Sequence, residues 1–391
     1  MSDLPLPISS WRDRWSGSPD GVVVLDLGLQ PAGDNFPRPE DPEPDARFPL
    51  RMVISTTSGL IQLEDDPTTP EEVRGIEPRA VLEQAEDAVT RAAAAGYLIA
   101  GTRVIDFPSP HGGSWNDLVT AHGLTVVEDG EAELVVDNFG VMHDADQRAG
   151  FAERVRHVAP DGILLMHFHD IAAVVRHGMW NALKNGHFGL YSAPALVSIL
   201  DELGFVALEA WRFSLYNNGS VVMAFARKGG RWGSEQGASV TALVEEELTE
   251  GITDPAYVAT LGQAVERTVR DIQGYLTQAK AQGLRIAGYA AASRTAALLC
   301  AADITTDKMV AIADGSPAKH GLTMPVNRIP IVSPDELVAL RPDRVLLFVP
   351  DLLAEMRERL PEIEANGGRW VLIEPEPVEV EPLAQPEASL A

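Results

Sequence analysis

The sequence predicts an α/β protein in which a small β-rich N-terminal region precedes two Rossmann-like units. Three observations carry this. The apolar strand Arg103–Phe107 runs into Pro108-Ser109-Pro110-His111-Gly112-Gly113-Ser114 and then a helix from about Trp115 to His122, the opening unit of a doubly wound sheet. From Leu284 to Ile373 strands and helices alternate regularly, as a parallel sheet covered on both faces requires. Before these units, short strands follow one another with only turns between them, in a region of about 65 residues that is too small to be very stable alone.

The elements follow in order. Gly21–Leu27 is a strand that leads into an acidic, proline-rich loop (Asn35–Asp45). Leu50–Ile54 and Leu60–Leu63 flank Ser55-Thr56-Thr57-Ser58-Gly59 as two strands joined by a tight turn. Pro78–Gly96 is an Ala-rich amphipathic helix, Leu124–Glu128 and Glu133–Asp137 are strands, and Ala145–Val158 is a helix leading to the strand Ile163–Met166. A helix at Ala193–Leu203 precedes an antiparallel pair, Val206–Trp211 and Ser220–Ala226, and Lys228–Gly237 reads as a linker. Beyond it, Ala238–Glu250 is helical and Thr253-Asp254-Pro255 restarts a helix, with a side-chain oxygen ahead of proline at the first helical position. Ser333-Pro334-Asp335-Glu336 carries a capping-box pattern, Leu352–Asn366 reads as one helix, and the Pro/Glu-rich tail from Glu374 reads as disordered. The expected domains are 1–70, 71–230 and 238–374, with a tail over 375–391.

Composition narrows the function. The 391 residues carry 57 acids against 31 bases, a net charge of −26, which argues against nucleic acid and against an anionic membrane surface. A small phosphorylated ligand stays compatible, because it needs only a few local donors. The single Cys300 leaves no intrachain disulfide and no cysteine-rich zinc site. With no basic leader and no run long enough for a membrane span, the expected compartment is the cytoplasm.

The most informative stretch is Asp161–Ser192. An apolar run ends on His167, Phe168, His169 and Asp170, the pattern of a buried strand whose carboxyl end opens into a crevice. Six of the nine histidines (His143, His157, His167, His169, His177 and His187) fall between 143 and 187, which makes this the first place to look for proton chemistry. His167-x-His169-Asp170 also admits a metal reading, although no third ligand is identifiable.

The turn Gly288–Arg294, the segment Asp314–Gly321 and the strand entry Gly367–Trp370 together resemble motifs of the three-domain C-methyltransferases of deoxysugar biosynthesis, which methylate a thymidine-diphosphate-linked 4-keto sugar with S-adenosylmethionine. Gly288-Tyr289-Ala290-Ala291-Ala292-Ser293-Arg294 is similar to the family's GYGAAAKG turn. Asp314-Gly315-Ser316-Pro317-Ala318-Lys319-His320-Gly321 with Ile329-Pro330-Ile331, and Gly367-Gly368-Arg369-Trp370, resemble its later segments in the right order. Lys184-Asn185-Gly186-His187-Phe188-Gly189-Leu190-Tyr191-Ser192 resembles the active-site segment YHEHFSYFS, with Lys184 in place of tyrosine and Gly186 in place of glutamate. Asn217-Asn218-Gly219-Ser220 resembles a strand entry of the form (H/N)GGS. Two family features are altered. Ser55 and Ser58 stand where the family carries a zinc-binding C-x-x-C, so no zinc is expected. The cofactor loop E-I-G-S-N-D-G reads Asp106-Phe107-Pro108-Ser109-Pro110-His111-Gly112, and the segment after it is short, as if a strand–helix unit were missing.

The resemblance implies roles. His187 would be the base that removes the proton beside the ketone, and Lys184 would polarise the carbonyl or enolate oxygen. S-adenosylmethionine would meet Asp106, Ser109, Gly112, Glu128 and Asn138. Tyr191 and Asn218 would bind the sugar, and Tyr289, Arg294 and Lys319 the nucleotide diphosphate. The expected partner is a small nucleotide sugar, and the oligomeric state is left open. The alternative is a degenerate member that has lost S-adenosylmethionine and acts as a nucleotide-sugar-binding partner or a proton-transfer enzyme.

Overall fold

The computed structural model describes residues 11–68, 77–108 and 112–383, so Ser109 lies outside the described residues. The chain divides into two units. One comprises the chain up to Leu29 and Phe48–Ala264, and the other Gln30–Arg47 and the chain from Val265.

The first unit holds two sheets. Its N-terminal sheet has the order β1-β2-β3-β8, from Gly21–Pro31 (β1), Arg47–Ser55 (β2), Ile61–Leu63 (β3) and Gly189–Leu190 (β8). The hairpin expected at Ser55–Gly59 is present, and Ile61 pairs antiparallel with Leu190. The last strand of this small sheet is therefore supplied from more than a hundred residues downstream, immediately beyond His187.

The second sheet is six-stranded, with the order β5-β4-β6-β7-β10-β9. Arg103–Pro108 (β4), Thr125–Val126 (β5), Ala132–Asn138 (β6) and Val158–His169 (β7) run parallel, and Phe205–Phe213 (β9) and Ser220–Arg227 (β10) close it antiparallel. Leu134, Val136, Ile163 and Leu165 face a core completed by Ala88, Val89 and Ala92 of the helix Arg79–Ala94 and by Trp115. β5 has only two residues and is the edge, so one short helix and one short strand are all that separate β4 from β6. Strand order reverses at β4, which places the crevice outside the carboxyl ends of β4 and β6, next to that of β7.

The segment expected to be a linker is packed down instead. Arg231 N and Trp232 Nε1 donate to Asp161, Trp232 stands edge-on to Tyr97 at 5.1 Å, and Gly237 N donates to the carbonyl of Ala207. The helix Ala238–Glu250 that follows lies on β9 within the first unit.

The second unit is a sheet of order β13-β12-β11-β14-β15-β16: Ile286–Tyr289 (β11), Ile312–Ala313 (β12), Ile331–Val332 (β13), Arg344–Leu347 (β14), Arg369–Leu372 (β15) and Val378–Glu379 (β16). The first five run parallel, and β16 pairs antiparallel with Val371 and Leu372. The segment from Glu374 thus supplies an edge strand as far as Glu379, where disorder was expected. Both halves of the capping box at Ser333 and Glu336 form. The helix expected over Leu352–Asn366 breaks at Leu360, because Pro361 has no N–H to continue it, giving Leu353–Arg359 and Pro361–Ala365. Within the same unit, Asp45 of the proline-rich loop takes a bidentate ion pair from Arg328, with Nη2 at 2.8 Å and Nε at 3.0 Å.

Candidate active site

The family resemblance raises the question of zinc, and the residues present do not fit it. Asp13 is buried and accepts from Ser55 Oγ at 2.8 Å, Gln62 Nε2 at 3.0 Å and Trp15 N at 3.0 Å. Ser55 Oγ in turn accepts from the N–H groups of Thr57 and Ser58 at 3.2 and 3.1 Å. Burial alone would raise the Asp13 carboxyl, but the donors around it, Ser16 and Gln62 first, hold it below the usual carboxylate range. Hydroxyl and amide donors around one carboxylate make a hydrogen-bond knot, not a thiolate cage. Among the described residues no three of His, Cys, Asp or Glu come together as metal ligands.

His187 sits on the loop that leads into β8, half-buried. Gly186 has φ +84°, which turns the chain so that the two histidine rings His143 and His187 meet edge-to-face at 5.0 Å. His187 Nδ1 lies 3.2 Å from the carbonyl of Ala182, and His143 Nδ1 lies 3.0 Å from the carbonyl of Gly186. A carbonyl only accepts, so each ring carries a proton on Nδ1. Asp66 holds the loop from the N-terminal side, accepting from Asn185 Nδ2 at 3.0 Å and Gly186 N at 2.6 Å. Phe188 N donates to the carbonyl of Met142 at 2.7 Å, so the loop is tied on both sides. Lys184 is only 8% exposed, which sets it apart from an ordinary surface lysine.

The crevice beside this loop is lined by Phe139, Val141, Met142, His169, Leu190 and the face of His167. Tyr191 is fully buried and donates its hydroxyl to Gln147 Oε1, so it braces the crevice floor and does not offer the hydroxyl to a sugar. Asn218 is exposed, in a run of left-handed residues with Tyr216 and Asn217.

At the carboxyl end of β4, Asp106 Oδ2 accepts from Ser114 Oγ at 2.6 Å and Trp115 N at 2.9 Å. Its Oδ1 is buried with no partner among the described residues, and burial raises the carboxyl above its ordinary range. Gly112 and Gly113 follow with φ of +103° and +85°. A Cβ on Gly112 would meet nothing within 4 Å, whereas one on Gly113 would strike Glu77 and the Asn138 amide. An unsatisfied carboxylate oxygen beside a glycine turn, at the end of the first strand of the sheet, fits the polar end of an adenosyl ligand. Glu128 is exposed beyond the short edge strand.

The nucleotide-binding residues expected in the second unit are committed within it. Lys319 is buried, donating to the Ala291 carbonyl at 2.9 Å and to Asp314 Oδ2 at 3.2 Å, so it braces the 289–294 turn from inside. Arg294 Nη2 pairs with Glu374 Oε2 at 2.8 Å. Tyr289 is 2% exposed in the hydrophobic core beside Trp370, and burial pushes its hydroxyl up to about 12.

Sequence reasoning did not assign roles to His143 and Asp66. The signal for His143 was its place in the histidine cluster. Asp66 lies in an acidic run of no distinctive pattern, and only the pairing of β3 with β8 brings it to the loop.

Residues 216–375 match a family described as "C-methyltransferase C-terminal domain", and residues 14–73 one described as "Putative zinc binding domain". The chain is similar to C-methyltransferase NovU from Streptomyces niveus, with 24% identity over 261 residues. That match covers 67% of this chain and 60% of NovU. Among solved structures, it is similar to magnesium protoporphyrin IX methyltransferase from Synechocystis with bound SAH: 12% identity, 37% of this chain and 83% of that one, TM-score 0.29. It is also similar to the glycopeptide N-methyltransferase MtfA: 15% identity, 40% of this chain and 94% of that one, TM-score 0.27.

Proposed function

We propose that this chain, whose residues 216–375 and 14–73 match the two family models, transfers a methyl group from S-adenosylmethionine to the carbon beside the ketone of a nucleotide-linked keto-deoxysugar. The observation that carries this reading is the hydrogen bond from His187 Nδ1 to the Ala182 carbonyl, which fixes the ring and makes Nε2 the atom that would take a proton from an α-carbon.

S-adenosylmethionine would supply an electrophilic methyl, held from the side of Asp106 and Gly112. The residues of the chain do the rest. His187 Nε2 takes the α-proton, and the charge left on the sugar oxygen is met by the buried Lys184 ammonium. His143, edge-on to His187, keeps the ring at a fixed angle. Asp66 fixes the Asn185–Gly186 backbone, so the base does not swing with the loop. The nucleotide-linked sugar rests on the resemblance to the C-methyltransferases.

A thermal-shift titration with S-adenosylmethionine, S-adenosylhomocysteine and thymidine diphosphate tests the two ligands separately. Saturation at about a hundred times Kd adds roughly 2.7 kcal/mol, enough to raise Tm by a few degrees. Shifts with an adenosyl ligand and with thymidine diphosphate support transfer to a nucleotide sugar. A shift with thymidine diphosphate alone replaces methyl transfer by nucleotide-sugar binding or proton transfer.

A further inference from the structure

His167 lies at the carboxyl end of β7, is 2% exposed, and plays no part in the chemistry assigned to His187. Both ring nitrogens are engaged. Nδ1 lies 2.6 Å from Asn138 Oδ1, while Nε2 lies 2.8 Å from Ser220 Oγ and 2.7 Å from Gln84 Nε2. The Asn138 amide nitrogen donates onward to the carbonyl of Gly113.

The donor and acceptor roles along this chain admit one consistent arrangement. Gly113 O only accepts, so Asn138 presents its NH2 there and its Oδ1 to the histidine. Asn138 Oδ1 only accepts, so His167 carries its proton on Nδ1. Nε2 is then the acceptor, served by the Gln84 amide on the helix Arg79–Ala94 and by the Ser220 hydroxyl at the start of β10. Phe139 packs against the ring at 3.8 Å and Trp115 at 5.8 Å, so the imidazole cannot rotate out.

We propose that His167 is a positioning residue for the adenosyl ligand, acting through Asn138 to set the Gly112–Gly113 turn beside Asp106. This deepens the methyltransferase reading and rests on it for the identity of the ligand. The relay connects three strand ends and one helix to the Gly112–Gly113 turn through the Gly113 carbonyl. Burial, with the neighbouring His169 adding to it, lowers the imidazole to about 3, in keeping with the neutral ring that these hydrogen bonds describe.

The test uses the full chain. The 15N resonances of His167 in the wild-type protein should report a neutral, Nδ1-protonated ring throughout pH 6–8, and an Nε2-protonated or titrating ring overturns the relay. Calorimetry with S-adenosylhomocysteine should then show Kd raised about tenfold or more by His167→Phe, which keeps the ring but removes both nitrogens, and similarly by Asn138→Ala. The double variant should bind no worse than either single one, since both break the same chain. Additive losses overturn the proposal. If the wild-type chain does not bind S-adenosylhomocysteine, the cofactor reading falls, and amide hydrogen exchange at Gly113–Trp115 becomes the readout. Faster exchange in His167→Phe sustains the relay, and unchanged exchange ends it. Should the variants not fold, the wild-type tautomer alone decides.

Discussion

His167 and His187 stand twenty residues apart in the sequence and have opposite environments. His167 is locked at both nitrogens inside the sheet end and held neutral by burial. His187 is half-buried on a loop, with Nδ1 donating to a backbone carbonyl. An imidazole acts as a base when it can gain a proton without breaking its surroundings. Protonating His167 would put a cation where Gln84 and Ser220 already donate. In the proposed mechanism, partners and burial, more than proximity in sequence, separate the roles of the two histidines.

The comparison breaks most sharply on mutation. His187→Ala is expected to lower methyl-transfer turnover by about 10²–10⁴-fold, the contribution of a positioned base, while Tm moves by no more than a degree or two. His167→Ala is expected to do the reverse in stability. It strands the Asn138 and Gln84 amides and costs about 1–3 kcal/mol, read from urea unfolding. Full turnover in His187→Ala would remove it as the base.

A second contrast sets the Asp13 knot against the metal that the family resemblance calls for. Asp13→Ala removes the acceptor shared by Ser16, Ser55 and Gln62, so the N-terminal sheet should loosen by about 2 kcal/mol or more. Because β8 belongs to that sheet, the His187 loop should loosen with it, visible as faster hydrogen exchange at 184–190. Chelator treatment of the wild-type chain should leave both readouts unchanged.

The regular parts of this fold were legible from the sequence. Ile163–Met166, Leu50–Ile54 and the capped helix at Ser333 were all recoverable, because hydrophobic period and capping chemistry are local signals. What was not legible depends on contacts distant in sequence. Nothing in Lys319 announces that Asp314 and the Ala291 carbonyl will consume its charge, and a glycine-rich stretch such as 228–237 reads as a linker until Asp161 captures it. Tyr191 was read as a substrate contact for the same reason. The motif placed it beside His187, and only the packing showed its hydroxyl turned inward to Gln147.

Buried carboxyls separate the two kinds of network again. Glu247 and Asp170 are both fully buried and interact, each with one carboxylate oxygen unpartnered among the described residues, although Glu247 accepts from Ala193 N at 2.7 Å and Asp170 caps Ala172 N at 2.8 Å. Burial raises both carboxyls, and the charge of Asp170 raises Glu247 further. A carboxyl raised in the folded state contributes stability that is fully present below its unfolded pKa of about 4 and lost as pH rises through the folded value. Tm should therefore fall between pH 5 and pH 8, and Glu247→Gln should flatten that slope while keeping the acceptor for Ala193 N.

The smallest expected effect concerns the left-handed run Tyr216-Asn217-Asn218, whose φ values are +54°, +54° and +62°. Three consecutive non-glycine residues in this region carry backbone strain, partly repaid where Tyr216 stacks on His169 at 4.7 Å. Asn217 offers little in return, a single contact from its amide to the Met179 sulfur at 3.3 Å. Asn217→Gly should therefore raise stability by about 0.5–1 kcal/mol, with the Tyr216 ring kept in place. If strain at this turn holds Tyr216 against the crevice, the same variant should also weaken acceptor binding. A gain in Tm with unchanged KM would assign the strain to the strand connection alone.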